Sequence, residues 1–183
     1  MDQNTSLFYP IVDYKLNKTQ KKQLRSLLIE AFPKSVQKRL FESQIPSFRG
    51  IVKIFGSIVA HVGVTHRIVN VDDKTFEIFG IFDLCTRKIH RKKGLASNLM
   101  AWVHELAGKS GINHILLFAD QKQRAFYQHL GYQSVTAKCR WLVMDGAKSH
   151  SISEKQMDET LMIRSEAVDI FSGKTIDLLG GIF

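Results

Sequence analysis

Arg91-Lys92-Lys93-Gly94-Leu95-Ala96 sets three cations and a glycine at one junction in the chain. Where a strand runs into a helix, the first helical N–H groups lack partners within the helix. A glycine there lets a ligand approach the main chain, so such a junction binds anions. A phosphate group is the anion this loop calls for. The spacing separates the kinds of phosphate loop: Gly-x-x-x-x-Gly-Lys-Ser/Thr is absent, and one glycine does not make Gly-x-Gly-x-x-Gly. What remains is Arg-x-x-Gly-x-Ala. Farther along, Tyr127 in Phe126-Tyr127-Gln128-His129-Leu130-Gly131-Tyr132 offers a phenol that can donate a proton, and Asp83 before the loop offers a carboxylate.

The flanking patterns show what positions these groups. Thr75 to Thr86 is β-branched and aromatic, as a largely buried strand is. Leu95, Leu99, Trp102, Val103 and Leu106 recur at helical spacing, which starts a helix at about Gly94. His114 to Ala119 reads as a short buried strand. A helix from Gln121 to Leu130 follows, with Ala125, Phe126 and Leu130 on one face, stopped by Gly131 as a left-handed cap. Upstream, Leu7 to Val12 suggests a strand, and Thr19 caps a helix whose Leu24, Leu27, Leu28 and Ala31 share a face before Pro33 ends it. Val36, Leu40 and Phe41 mark a short second helix. Phe48 to Phe55 and Ile58 to Val69 read as paired strands turning at Gly56-Ser57, and Asn70 to Lys74 turns the chain into the next strand. Asp145 to Glu159, polar and rich in lysine and serine, reads as a long loop between strands at Arg140 to Met144 and Thr160 to Arg164. The order is α+β.

Arg91-x-x-Gly94-x-Ala96 resembles the pyrophosphate loop of the GCN5-related N-acetyltransferases (GNATs), whose pattern is Gln/Arg-x-x-Gly-x-Gly/Ala. The run from Phe126 to Tyr132 resembles that family's second signature, in which a helix presents a tyrosine and ends in Gly-aromatic. The two occur in the family's order. The resemblance implies a GNAT (acyl-CoA N-acyltransferase) fold, a mixed central sheet flanked by helices, over 1–183 as a single domain. It also implies an acyltransferase that moves the acetyl group of acetyl-coenzyme A to a primary amine by direct attack in a ternary complex. By position, Arg91, Lys92, Lys93, Gly94, Leu95, Ala96 and Ser97 would hold the diphosphate. Leu84, Cys85 and Thr86 would meet the pantetheine arm and the thioester carbonyl. Tyr127 would protonate the departing thiolate.

A finer likeness runs through Ile58 to Arg67 and through Asp177-Leu178-Leu179-Gly180-Gly181-Ile182-Phe183, which is similar to the tail of the aminoglycoside 2′-N-acetyltransferases. The nodulation N-acyltransferases are similar here too. The acceptor expected on this ground is a small, possibly aminoglycoside-like amine, although a strongly basic chain is not an obvious host for a polycation. The general base departs from the family, since its glutamate positions hold Gly80 and Phe82 here. Asp83 is the named carboxylate, and strand alternation would set it on the same face as Glu77. The alternatives are His61 and His66, acting through water, although a histidine in a strand is more often a hydrogen-bonded structural residue, and the C-terminal carboxylate of Phe183, as the aminoglycoside resemblance implies. Cys85 reads as a small buried residue rather than a nucleophile.

Composition agrees. At 183 residues the chain can bury a real core. Two cysteines make no disulfide framework. No leader or membrane span is expected, which leaves the cytoplasm. The net charge of +9 gathers partly at Arg87, Lys88, Arg91, Lys92 and Lys93, where a diphosphate and a 3′-phosphate would be steered and held. The Lys15, Lys18, Lys21, Lys22 and Arg25 cluster reads as a solvated helix face. No metal-ligand pattern or nucleic-acid motif accompanies the charge, so neither a metal nor a nucleic-acid partner is expected. A homodimer, a protein or peptide acceptor, and a non-catalytic acyl-coenzyme A module remain as alternatives.

Overall fold

The computed structural model describes residues 10–33, 40, 45–145 and 148–183. Helix α1 spans Lys18–Ala31 and starts earlier than Thr19: Asn17 accepts from the Gln20 N–H, while Gln20 returns a bond to the Asn17 N–H, both at 2.9 Å. Two helix-end donors are satisfied at once, which a threonine inside the first turn cannot do. Leu24, Leu27 and Leu28 are buried, and Pro33 bars the helix from continuing past Phe32. Of the strand expected over 7–12, residues 7–9 lie outside the described residues, and Ile11 makes an isolated bridge with Arg49. Val36 and Phe41 of the expected second helix also lie outside the described residues.

The strands are β1 (Phe48–Ile54), β2 (Ser57–Val71), β3 (Lys74–Thr86), β4 (His114–Phe118), β5 (Gln133–Asp145), β6 (Lys148–Arg164) and β7 (Thr175–Asp177). Helix α2 (Leu95–Lys109) connects β3 to β4, and α3 (Gln121–His129) connects β4 to β5. Hydrogen bonding orders the strands β1-β2-β3-β4-β6-β5-β7, and β7 also pairs with β2. The β3–β4 and β5–β7 pairs are parallel, while β1–β2, β2–β7, β4–β6 and β5–β6 are antiparallel. The β1–β2 turn is tight because Phe55 and Gly56 both take left-handed angles, φ 48° and 77°.

The region read as a long loop is strand instead. β5 and β6 form a hairpin paired from Gln133↔Ile163 to Asp145↔Lys148. Its outer part is solvated, so no hydrophobic alternation marks it. Ladder hydrogen bonds and cross-strand charges hold it, with Glu154 meeting Lys138 at 2.5 Å and Arg140 at 3.5 Å.

Two compact units divide the described chain, one within Met1–Val64 and Phe82–Leu106, the other within Thr65–Ile81 and Ala107–Phe183. In the first, Leu24, Leu27, Leu28, Ile51, Ile58 and Cys85 form a core, and Trp102 and Leu99 of α2 lie over Gly50, where a Cβ would come within 2.6 Å of the indole. In the second, the core gathers Val69, Ile78, Leu116, Ile163, Phe171 and Leu178.

Candidate functional site

The end of β3 leaves the sheet in a defined way. Its parallel register with β4 runs from Ile78↔His114 to Ile81↔Leu117 and stops. Two residues later Asp83 takes φ 53°, in the left-handed region. That kink breaks strand alternation, so Glu77 and Asp83 cannot be assigned a common face by counting, which corrects the sequence expectation. Cys85 and Thr86 follow, both buried. The Thr86 hydroxyl oxygen is inaccessible and has no hydrogen-bond partner. An unpaired buried hydroxyl is costly unless a ligand completes it.

Beyond Thr86 the chain makes a short 3-10 turn at Lys88–His90 and reaches the loop, where Lys92 and Gly94 are left-handed at φ 59° and 76°. The Gly94 carbonyl accepts from Asn98 N–H at 2.9 Å and opens α2. A Cβ built on Gly94 would meet nothing within 4 Å, so the space in front of the helix start is open. Arg91 to Gly94 are exposed, Leu95, Ala96 and Ser97 are half-buried, and the first turn of α2 holds no acidic residue. The Arg91 side chain folds back so that its Nε donates to the Thr86 carbonyl at 3.1 Å, tying the loop to the strand end. Cationic side chains, helix-start N–H groups, an open glycine and an orphaned hydroxyl together fit a diphosphate on a polar arm.

Arg87 does not belong to that grip. Its guanidinium meets Glu30 of α1 at 3.0 Å and donates to the carbonyls of Ile58 and Gln23. Lys88 N–H donates to the same carboxylate at 2.8 Å. This bond first, and then the Arg87 guanidinium, hold Glu30 below the ordinary carboxylate range. Arg87 thus fastens the strand end to α1.

The remaining base candidates fall into distinct environments. His61 is fully buried: Arg49 Nη1 lies 3.0 Å from its Nε2, and its Nδ1 lies 3.0 Å from the Asp83 carbonyl. Burial and then the Arg49 charge push its pKa down to about 3, so the ring is neutral and enclosed, a structural group rather than a base. His66 and Glu77 pair with one another at 2.6 Å on an exposed face. At Gly80, one of the two positions where the family resemblance implies a glutamate, a Cβ would come within 2.7 Å of both the Phe183 ring and the Thr65 methyl. The tail therefore fills that position with an aromatic ring, under the Arg67 guanidinium 4.8 Å above it. Phe82, the other glutamate position, lies on Gly63. Burial, followed by the Asp83 charge, raises the Cys85 thiol well above its ordinary value. A thiol held protonated is a poor nucleophile.

Helix α3 presents Tyr127 inward, buried against Tyr132 and Phe126 at ring distances of 5.7 and 5.1 Å. Ala125, expected on the inner face, is exposed, and Phe126 is half-buried. Gly131 takes φ 85°, the left-handed stop that the sequence suggests. Burial raises the Tyr127 phenol to about 12, so it keeps its proton at neutral pH. Asp13 and Arg49, which hold His61, were missed from the sequence. Their signal was an arginine near the start of a mostly apolar strand.

A search of curated proteins found no match. Solved structures are similar at low identity. They include Escherichia coli ElaA (TM-score 0.60, 16% identity, covering 87% of this chain and 99% of that one). Another is a GNAT family N-acetyltransferase (YhbS) from Escherichia coli in complex with CoA (0.61, 14%, 97% and 91%). A third is an aminoglycoside 6′-N-acetyltransferase complexed with coenzyme A (0.58, 15%, 87% and 96%). At these identities the likeness establishes the fold, an α+β acyl-CoA N-acyltransferase arrangement. A family model described as acetyltransferase (GNAT) domain matches residues 14–135, which is most of the chain. With its helix-start loop and its Gly131-capped tyrosine helix, this chain belongs to the GNAT acetyltransferases.

Proposed function

We propose that the protein transfers the acetyl group of acetyl-coenzyme A to a primary amine of a small molecule, by direct attack in a ternary complex. The observation that carries this is the pairing of an open, left-handed Gly94 at the start of α2 with the orphaned, buried Thr86 hydroxyl at the end of β3. Acetyl-coenzyme A would supply an already activated thioester. Arg91, Lys92 and Lys93, with the N–H groups of Leu95, Ala96 and Ser97, would bind its diphosphate. Leu84, Cys85 and Thr86 would take the pantetheine arm and aim the carbonyl.

Asp83 would draw a proton from the amine, directly or through water. Its charge is felt at the Cys85 thiol, which supports a place near the thioester. Tyr127 would return a proton to the departing thiolate, since its phenol is protonated at neutral pH. The buried, protonated Cys85 thiol favours direct transfer over a covalent acetyl-cysteine. The family match crosses both compact units, which supports reading the chain as one catalytic domain. Among the described residues no helix is long and apolar enough to cross a membrane.

Thiol release against a panel of aminoglycosides, polyamines, amino acids and peptides tests the reaction and identifies the acceptor class. Release with a peptide alone would favour a protein acceptor, and binding without release would favour a sensor module. Gly94→Glu places a carboxylate in the open anion site and is expected to abolish coenzyme A binding in calorimetry. Ordinary binding by that variant would overturn the site.

A further inference from the structure

We propose that Asp13, Arg49 and His61 form a relay, buried at Arg49 and His61, that grips the Asp83 carbonyl and so positions the backbone of Leu84 for the acyl donor. The inference rests on the coenzyme A reading of the β3 end. Arg49 is wholly buried, and its guanidinium is shared three ways: Nε and Nη2 go to the Asp13 carboxylate at 2.5 and 3.3 Å, Nη2 to the Leu40 carbonyl at 2.6 Å, and Nη1 to His61 Nε2 at 3.0 Å. An arginine can only donate, so His61 Nε2 must be the acceptor nitrogen of a neutral ring. The ring proton is therefore on Nδ1, 3.0 Å from the Asp83 carbonyl, which can only accept. Both ends of the imidazole are used, and its tautomer is fixed by its neighbours.

The carbonyl at the end of this chain is no ordinary strand group. Asp83 lies at φ 53°, a region that L-residues avoid, and the sheet register with β4 has already ended at Ile81. The Asp83 C=O and the Leu84 N–H belong to one planar peptide unit. Holding the oxygen fixes the direction of the N–H on its opposite side, the first of the three residues assigned to the thioester arm. Burying an arginine–carboxylate pair is a poor route to stability, whereas it suits the fixing of one conformation. His61 is thus a positioning residue: it acts through the Asp83–Leu84 peptide.

Two substitutions at His61 separate this role from plain structural support. His61→Asn keeps a donor near the Nδ1 position and loses the acceptor for Arg49, whereas His61→Gln keeps a group near Nε2 and loses the donor to Asp83. Calorimetry with coenzyme A, together with ¹⁵N–¹H spectra of the Leu84, Cys85 and Thr86 amides, is expected to show for His61→Asn, whose donor Arg49 no longer steadies, an affinity weakened about 2-fold and a lower Tm. For His61→Gln it is expected to show an affinity about 5- to 10-fold weaker, with a displaced Leu84 amide. The reverse order, or wild-type affinity in both, would overturn the relay. Should His61→Gln fail to fold, the imidazole ¹⁵N spectrum of the wild-type protein decides: a proton on Nδ1 whose resonance moves when coenzyme A is added supports the relay. A proton on Nε2, or an unmoved resonance, overturns it. Absence of coenzyme A binding by the wild-type protein would bring down the donor site and this inference together, whereas wild-type binding with an unaffected His61→Gln brings down the relay alone.

Discussion

Thr86 and Tyr127 show how burial gives single side chains their chemistry. The Thr86 hydroxyl is enclosed without a partner at the end of β3, a state that a polar ligand would relieve. Tyr127 is a phenol whose proton burial retains to about pH 12. Tyr127→Phe keeps the ring and its packing on Tyr132 and removes only the donor. It is expected to lower kcat on the order of 100-fold while coenzyme A affinity stays unchanged, as read by steady-state kinetics beside calorimetry. An equal loss of affinity would instead mark the hydroxyl as a binding group. Both residues were legible in the sequence because their motifs are local. For His61 the sequence allowed a base acting through water beside a hydrogen-bonded structural residue, and its contacts with Arg49 and with a carbonyl 22 residues away make it the second, a neutral, enclosed support.

At the scale of elements, the strand end is fastened from two sides. Arg91 reaches back to the Thr86 carbonyl, and Glu30 at the end of α1 receives the Arg87 guanidinium and the Lys88 N–H. Folding lowers the Glu30 pKa, so its stabilising contribution is complete above the ordinary glutamate value and disappears as the pH falls through the lowered one. The Glu30 side chain is 30% exposed, and solvent screening there limits the contribution. Glu30→Gln is expected to cost under about 1 kcal/mol at pH 7, seen as a lower Tm, with the gap closing as acid protonates the carboxylate. A Tm gap that does not narrow as the pH falls would mean the loss is not electrostatic. The elements read well from sequence wherever apolar residues repeat with a period, as in α2 and β4. The β5–β6 hairpin did not, because much of its outer part faces solvent and long-range pairing sets its conformation.

For the whole molecule, the enclosed histidine makes folding depend on acidity. His61 stays neutral in the folded protein down to about pH 3, whereas in the unfolded chain it takes up a proton near pH 6.5. Between those values the unfolded state binds the extra proton, so stability falls as the pH drops through that window and is independent of His61 above it. Thermal unfolding from pH 8 to pH 4 is expected to show a Tm plateau that bends downward near pH 6.5, with a shallower bend in His61→Asn. An identical bend in that variant would assign the acid sensitivity to other groups. The sequence by itself determined the family, the α+β order, the Arg91 to Ala96 loop and the Tyr127 helix, since each depends on neighbours a few residues apart, whose spacing sets helix starts, caps and turn geometry. Only the tertiary structure decided which charges serve the site. It committed Arg87 to Glu30, sealed His61 between Arg49 and Asp83, set the Phe183 ring against Gly80, and turned an apparent loop into a hairpin. Burial and partnership fix the state of a titratable group, and both are properties of residues brought together from distant parts of the chain.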